Sequence, residues 1–338
     1  MSRGCPVSRM PADWSPPVPA YSSQMPTGEV VILYIACQAA QRSDALRGLS
    51  TLRDFLACDP QPAHVDLALH QPSGRPVDAI AIAYFETAKA FETWSAASGF
   101  NQWWSNEQRV WDGCGYWQER LSLPANRIEA LHSSPMPEGH SFCGTLIGPV
   151  REHAYWGGMR DRIELSASDW LDSPRAGELR PRSAVPPTGR VIVDAPENLC
   201  VIRSGQDLSD IDAQEMQVYD EVVHGNLVEG MRFLAEDGAA VGCCDARFCT
   251  EITADGAELR RTFGHCLFLT LQHLETWASS HPSHLAIFNS FFEMLRRRDN
   301  ASTLKLWHEV AVLPASGQRF EYINCHPDTG LLGLFPAT

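Results

Sequence analysis

Apolar and polar positions alternate along this chain in two rhythms, and the rhythms recur in the same order twice. The run "VVILYIACQ" is short, apolar and β-branched, which predicts a strand. "SDALRGLSTLRDFLA" follows with helical spacing and a Ser/Asp start. "AHVDLALH" alternates and "AIAIAYF" is a second apolar strand. "TAKAFETWSAA" is helical, and "GYWQERLSL" returns to strand. The order is β-α-β-β-α-β, a ferredoxin-like unit.

The second half repeats it more loosely. "NLCVIRS" predicts a strand, and residues 211–237 one long amphipathic helix. "VGCCDARFC" and "ELRRTFGH" predict a hairpin, "LFLTLQHLETWASS" a helix, and "LKLWHEVAVL" a strand. Glu92-Thr93-Trp94 and Glu275-Thr276-Trp277 fall at the same point of the two units. The fold expected is therefore α+β, two fused ferredoxin-like repeats whose sheets pack together. The boundaries expected are an extended arm over 1–27, a first half over 28–150, a proline-rich connection over 151–190 and a second half over 191–338.

Composition narrows the function. Among 338 residues, 44% are hydrophobic and 20% charged, as in an ordinary globular enzyme. The net charge of -14 argues against nucleic acid as a partner. Lys89 and Lys305 are the only lysines, which leaves little room for Schiff-base chemistry. The eleven cysteines form no C-x-x-C pair, so they are expected as buried free thiols in a reducing compartment. The N-terminal stretch lacks a continuous apolar run, so neither a signal peptide nor a membrane span is expected, and a cytoplasmic location is.

The candidate chemistry lies in the histidines. In "HPSHLAIFNSFF", Pro282 suits the first turn of a helix, with His281 at the cap. His284 shares a helical face with Phe288, Phe291 and Leu295. That pattern fits a satisfied core histidine, and equally a neutral axial ligand to haem iron. In the repeat, His284 falls opposite Asn101, so the first half has no counterpart and one site per chain follows. His308 shares a strand face with Leu304, Leu306 and Val310, with no charge on that face of its own strand. It is either structural or a buried proton donor and acceptor, with a pKa expected to be lowered by burial. Ser204 lies in phase with Cys200 and Ile202, where Ser-Gly is turn chemistry or a site hydroxyl. "EHAYWGGMRDR" packs His153, Tyr155, Trp156, Arg160, Asp161 and Arg162 around two glycines, as a surface turn or a site wall.

Five pieces together, "EHAYWGGMRDR", "VIRSGQD", "HPSHLAIF", "LWHEVAV" and "FEYINCHPDTG", resemble the haem-containing aldoxime dehydratases in order and spacing. The resemblance runs from about Pro11 to Leu332. It implies a homodimer of the dimeric α+β-barrel type, with one non-covalent haem b per chain. It implies His284 as the axial iron ligand, His308 as the distal acid/base, Ser204 as the hydroxyl that holds the substrate, and Arg162, with Arg160 as the alternative, as the site arginine. Glu129 in "NRIEALH" is the implied acidic residue. The implied activity is dehydration of R-CH=N-OH to a nitrile on ferrous haem. A peroxidase-like or chlorite-decomposing haem enzyme on the same fold, or a haem carrier, are the competing readings.

Overall fold

The computed structural model describes residues 8–173, 179 and 188–335. The start of the expected arm, residues 1–7, and residues 174–178 and 180–187 of the expected connection lie outside the described residues.

After a short strand β1 (Ser22–Gln24), the first unit runs β2 (Glu29–Ala39), α1 (Arg42–Leu56), β3 (His64–His70), β4 (Val77–Phe85), α2 (Ala88–Ala97), α3 (Phe100–Ser105) and β5 (Gly115–Pro124). Then come β6 (Ile128–His132), β7 (Thr145–Ile147), which pairs with β1, α4 (Gly158–Arg162) and β8 (Arg190–Val193). The second unit runs β9 (Cys200–Asp207), α5 (Ala213–Tyr219), α6 (Gly225–Glu236), β10 (Cys243–Ile252), β11 (Glu258–Phe268), α7 (Leu271–Ser280), α8 (Pro282–Arg297) and β12 (Lys305–Val312), and β13 (Arg319–Ile323) follows. Glu92-Thr93-Trp94 sits in α2 and Glu275-Thr276-Trp277 in α7, as the internal alignment requires.

Strand β2 explains its own sequence. Val31, Leu33 and Ile35 pack with Ala45, Leu49 and Leu52 of α1, while Val30, Ile32 and Tyr34 face a second core. A strand buried on both faces reads as a continuous apolar run. The two units have the same strand order, β3-β4-β2-β5 and β10-β11-β9-β12, and they join edge to edge where β10 pairs with β3. Each also lends a strand to the other: β6 pairs with β12, and β13 with β5. Only Ala125–Arg127 separate β5 from β6, although the two strands belong to opposite ends of the strand order. The sheet must therefore curl until its ends approach, as in a barrel.

The inner face of this sheet is packed by both units, with Tyr34, Tyr84 and Trp117 meeting Val201, Phe263 and Ala311. Arg203 lies wholly buried among them. It donates to Asp66 at 2.6 Å and Tyr84 at 2.7 Å from the first unit and to Glu251 at 3.1 Å from the second, with its guanidinium 4.0 Å over the Phe263 ring. Removing one partner of such a buried set strands the others without water, so the set ties the units together. On the outer face of the second unit, α6 and α7 pack Met231, Leu234, Leu274 and Trp277 against Cys200, Cys266, Phe268 and Val310.

Three local expectations change. The long helix expected over 211–237 runs without a break from Ala213 to Glu236, but it widens into a π turn at Asp220–His224 that divides α5 from α6. Helix α7 begins at Leu271, because β11 extends to Phe268 and the Thr270 side chain caps the helix by accepting from the His273 N–H. On α8 the residues buried in the protein are Ser290 and Met294, while Phe288 is exposed. The stripe through His284 and Phe288 is open to a cavity, and periodicity alone does not distinguish a cavity wall from a core.

Candidate active site

That cavity has a volume of about 730 Å³. Its helical wall carries Leu227 and Met231 of α6, Trp277 of α7, and His284, Ile287 and Phe288 of α8. Its sheet wall carries Leu131 of β6, Ser204 of β9, Gly264 of β11 and His308 of β12. The "EHAYWGGMRDR" segment and Arg9, Pro11 and Trp14 of the N-terminal arm complete it. The volume falls within the roughly 300–1,000 Å³ usual for small-molecule and cofactor sites.

His284 is placed by the chemistry expected around it. His281 is the N-cap of α8: its Nδ1 accepts from the Ser283 N–H at 3.3 Å, and its ring stacks on Phe233 at 4.2 Å. Pro282 occupies the first turn. The His284 ring then meets Trp277 edge-on at 4.7 Å, and Nδ1 is buried with no hydrogen-bond partner. Burial lowers its pKa, against a smaller raising effect from the backbone of Ala278, so the ring favours the neutral form. A neutral imidazole bonded to no other side chain, in the wall of a largely apolar cavity of this size, fits haem iron.

Ser204 and His308 are register partners on adjacent strands. Gly264 is the register partner of Ser204 on its other side, and a Cβ there would meet the Met231 sulfur at 2.8 Å, so glycine lets α6 approach the sheet. The His308 side chain is 25% exposed, toward the cavity it lines, and not fully buried as its strand face suggested. Its strand carries no charge on that face, but neighbouring elements bring two. His308 Nε2 lies 3.0 Å from Arg162 Nη2 and 3.1 Å from Glu129 Oε1. Arg162 Nε donates to Glu129 Oε2 at 2.6 Å, and Nη1 donates to the Glu152 carbonyl. Burial acts to raise the Glu129 pKa, but Arg162 and His308 outweigh it and hold the carboxyl at about 2. Glu129 is thus ionised throughout the working range.

Arg160 points elsewhere. Its Nε and Nη2 grip the Glu275 carboxylate at 2.8–3.1 Å, and Nη1 donates to the Trp170 carbonyl at 2.8 Å. Of the two arginines, Arg162 is the one beside His308. The structure brings His284, His308, Ser204 and Arg162 to one cavity, with Glu129 behind His308 and Arg162.

The family described as haem-containing dehydratase matches residues 33–331. The chain belongs to the haem-containing dehydratases. The aliphatic aldoxime dehydratase of Rhodococcus erythropolis is 35% identical over 334 residues, covering 96% of this chain and 93% of that protein. The phenylacetaldoxime dehydratase of Bacillus sp. (strain OxB-1) is 33% identical over 336 residues, covering 98% and 96%. A crystal structure of an aldoxime dehydratase in complex with butyraldoxime superposes with a TM-score of 0.90 at 33% identity, covering 99% of this chain and 94% of that one. The α+β fold expected from the repeats is thereby that of a haem-containing dehydratase.

The N-terminal arm is a part of this cavity that the sequence did not announce, and it packs on the segment that carries His153. Asp161 accepts from Ser8 Oγ at 2.9 Å and from the backbone N–H groups of Arg9 and Met10 at 2.9 and 3.1 Å. Trp14 Nε1 donates to the His153 carbonyl at 3.0 Å. Gly157, at φ +103°, lies under the Arg9 side chain, where a Cβ would come within 2.8 Å of Arg9 Cβ. The aspartate between two arginines was the only available signal for this contact.

Proposed function

We propose that this chain dehydrates aldoximes, R-CH=N-OH, to nitriles and water. The observation that carries the reading is His308 set between Arg162 and Glu129 and beside Ser204, in a cavity that also holds the neutral imidazole of His284. His284 is the residue that would hold haem b, one per chain and non-covalently. Haem bound there would supply ferrous iron as the centre that activates the oxime nitrogen and weakens the N–O bond.

The chain's own residues do the rest. Hydroxide leaves poorly, so the oxime oxygen needs a proton as the N–O bond breaks. Ser204 hydrogen-bonds the oxime hydroxyl and holds it toward His308. With His308 protonated, Nε2–H donates to the ionised Glu129 and Nδ1–H gives its proton to the departing oxygen. The neutral ring keeps Nε2–H on Glu129, and Nδ1 then takes the proton from carbon as the C≡N bond forms. One proton is given and one recovered, so each turnover releases water with no net proton change. Arg162 fixes the Glu129 carboxylate by its 2.6 Å bond and faces the same His308 nitrogen with a positive charge.

The same reading makes the protein a cytoplasmic homodimer. All ten described cysteines are free thiols, which suits a reducing compartment, and ferrous iron needs one. Among the described residues no helix is long and apolar enough to cross a membrane. The dimer follows from the family resemblance. We further take 28–150 and 191–338 as the two fused halves, with 1–27 and 151–190 serving the site between them.

The test is nitrile formation from butyraldoxime and phenylacetaldoxime by purified protein, anaerobic and reduced with dithionite. Nitrile from either supports the proposal, and their relative rates rank alkyl against aryl substrates. A protein that shows a haem spectrum but makes no nitrile from either is not an aldoxime dehydratase.

A further inference from the structure

Among the polar side chains of the cavity wall that the scheme above does not use, His153 is the one with a buried, unpartnered nitrogen. His153 is 4% exposed, and its Nε2 is buried without a hydrogen-bond partner. Buried imidazole nitrogens are normally satisfied, so an orphan in a binding cavity marks a position where something else supplies the partner. The backbone around it is held firmly. Its carbonyl accepts from Trp14, its N–H donates to the Arg151 carbonyl at 2.9 Å, and the next residue, Ala154, adopts φ +58°. A left-handed non-glycine residue persists only where its surroundings impose it. The ring also lies on the Arg162 side of the cavity. The neighbouring Glu152 carbonyl takes the Arg162 Nη1–H, and the Arg162 charge adds to burial in lowering the His153 pKa, which leaves the ring neutral.

We infer that His153 is a second substrate-binding imidazole, hydrogen-bonding the polar end of the aldoxime from the loop side while Ser204 holds it from the sheet side. The inference rests on the dehydratase reading. It assigns His153 a share in substrate affinity and orientation and none in proton transfer, which Glu129 and Arg162 reserve to His308.

A group kept unsatisfied for a ligand lowers the stability of the empty protein, and a group kept for structure raises it. His153→Phe retains the volume and removes both nitrogens. We expect the haem-free variant to melt at or above the parent temperature. Reduced and haem-loaded, it should bind butyraldoxime about tenfold more weakly in a spectral titration, as loss of one hydrogen bond implies. KM should rise with it, and kcat should fall less. His153→Gln, which keeps one donor and one acceptor, should recover part of the affinity. A lower melting temperature with unchanged aldoxime affinity would make His153 structural and overturn the inference. Unchanged stability with unchanged affinity overturns it equally. A parent protein that binds haem yet dehydrates nothing removes the dehydratase reading, whereas an active parent with an indifferent His153→Phe removes only this one.

Discussion

At the scale of residues, the two histidines of the H-P-x-H motif make a controlled comparison. His281 and His284 are three positions apart on one helix start, yet His281 is committed to Ser283 and Phe233, and His284 bonds no other side chain and lines the cavity. His284→Ala should therefore be purified largely without haem, and His281→Ala should keep it. The cost of the latter should be only that of a lost helix cap, about 0.5–2 kcal/mol. Absorbance in the Soret region reports the first effect and thermal melting the second. Haem lost from His281→Ala and kept in His284→Ala would reverse the assignment. His308 has a different expected signature. His308→Ala should still bind reduced haem and still bind butyraldoxime, seen as a spectral shift, but lose a factor of about 10²–10⁴ in turnover. Binding that survives while turnover is lost identifies an interaction made in the transition state. Near-parental turnover in that variant would remove His308 from the mechanism.

At the scale of elements, one carboxylate gathers the start of the N-terminal arm, with Arg9 also paired to Glu275 at 3.1 Å and Trp14 bonded to the His153 carbonyl. Asp161 gathers Ser8, Arg9, Met10 and the Tyr155 hydroxyl, and it precedes Arg162 in the chain. Asp161→Ala removes these acceptors at once, so residues 8–14 should open locally. Trypsin should then cut after Arg9 at least about tenfold faster than in the parent, measured by mass spectrometry under native conditions. An unchanged cleavage rate would show that the arm is held by other contacts. Much of the element pattern was legible from the sequence. Strands β2, β4, β9 and β12 follow from their apolar rhythm, and the capping of α8 follows from Pro282. What lay hidden depended on distant partners. Strand β6 belongs by sequence to the first half but pairs with β12 of the second, so nothing near Glu129 announced that it would meet His308. The choice between Arg160 and Arg162 turned on side-chain direction in α4, a helix of only 5 residues. The π turn at Asp220–His224 left no mark in the apolar spacing, because one extra residue rotates a helix without changing its composition.

At the scale of the whole molecule, folding buries titratable groups that the unfolded chain would present to water, and this sets an acid limit on stability. Burial, with some help from nearby His140 and His308, lowers the His132 pKa to about 4, and burial also lowers that of His70. Unfolded histidines titrate near about 6.5. As pH falls below that value, the unfolded chain takes up protons that the folded protein refuses, so stability drops. Each such proton contributes a slope of about 1.4 kcal/mol per pH unit. The carboxylates act in a second, lower window. Glu119, beside Arg247, and Glu129, beside Arg162, are each held at about 2 despite burial, while unfolded glutamate titrates near about 4.3. Their contribution is complete above the unfolded value and is lost as pH falls from about 4.3 toward 2. The urea midpoint of the haem-free protein should hence be steady above pH about 7, decline from about 6.5, and steepen below about 4.5. His132 isolates the first limb, because it is buried and its Nε2 is paired only with Ser141 at 2.8 Å. His132→Gln cannot titrate, so its decline between pH 6.5 and 4 should be shallower than the parent's by about one proton's slope, whatever its stability at neutral pH. A parallel decline in the two proteins would show that His132 does not take part in the acid limit.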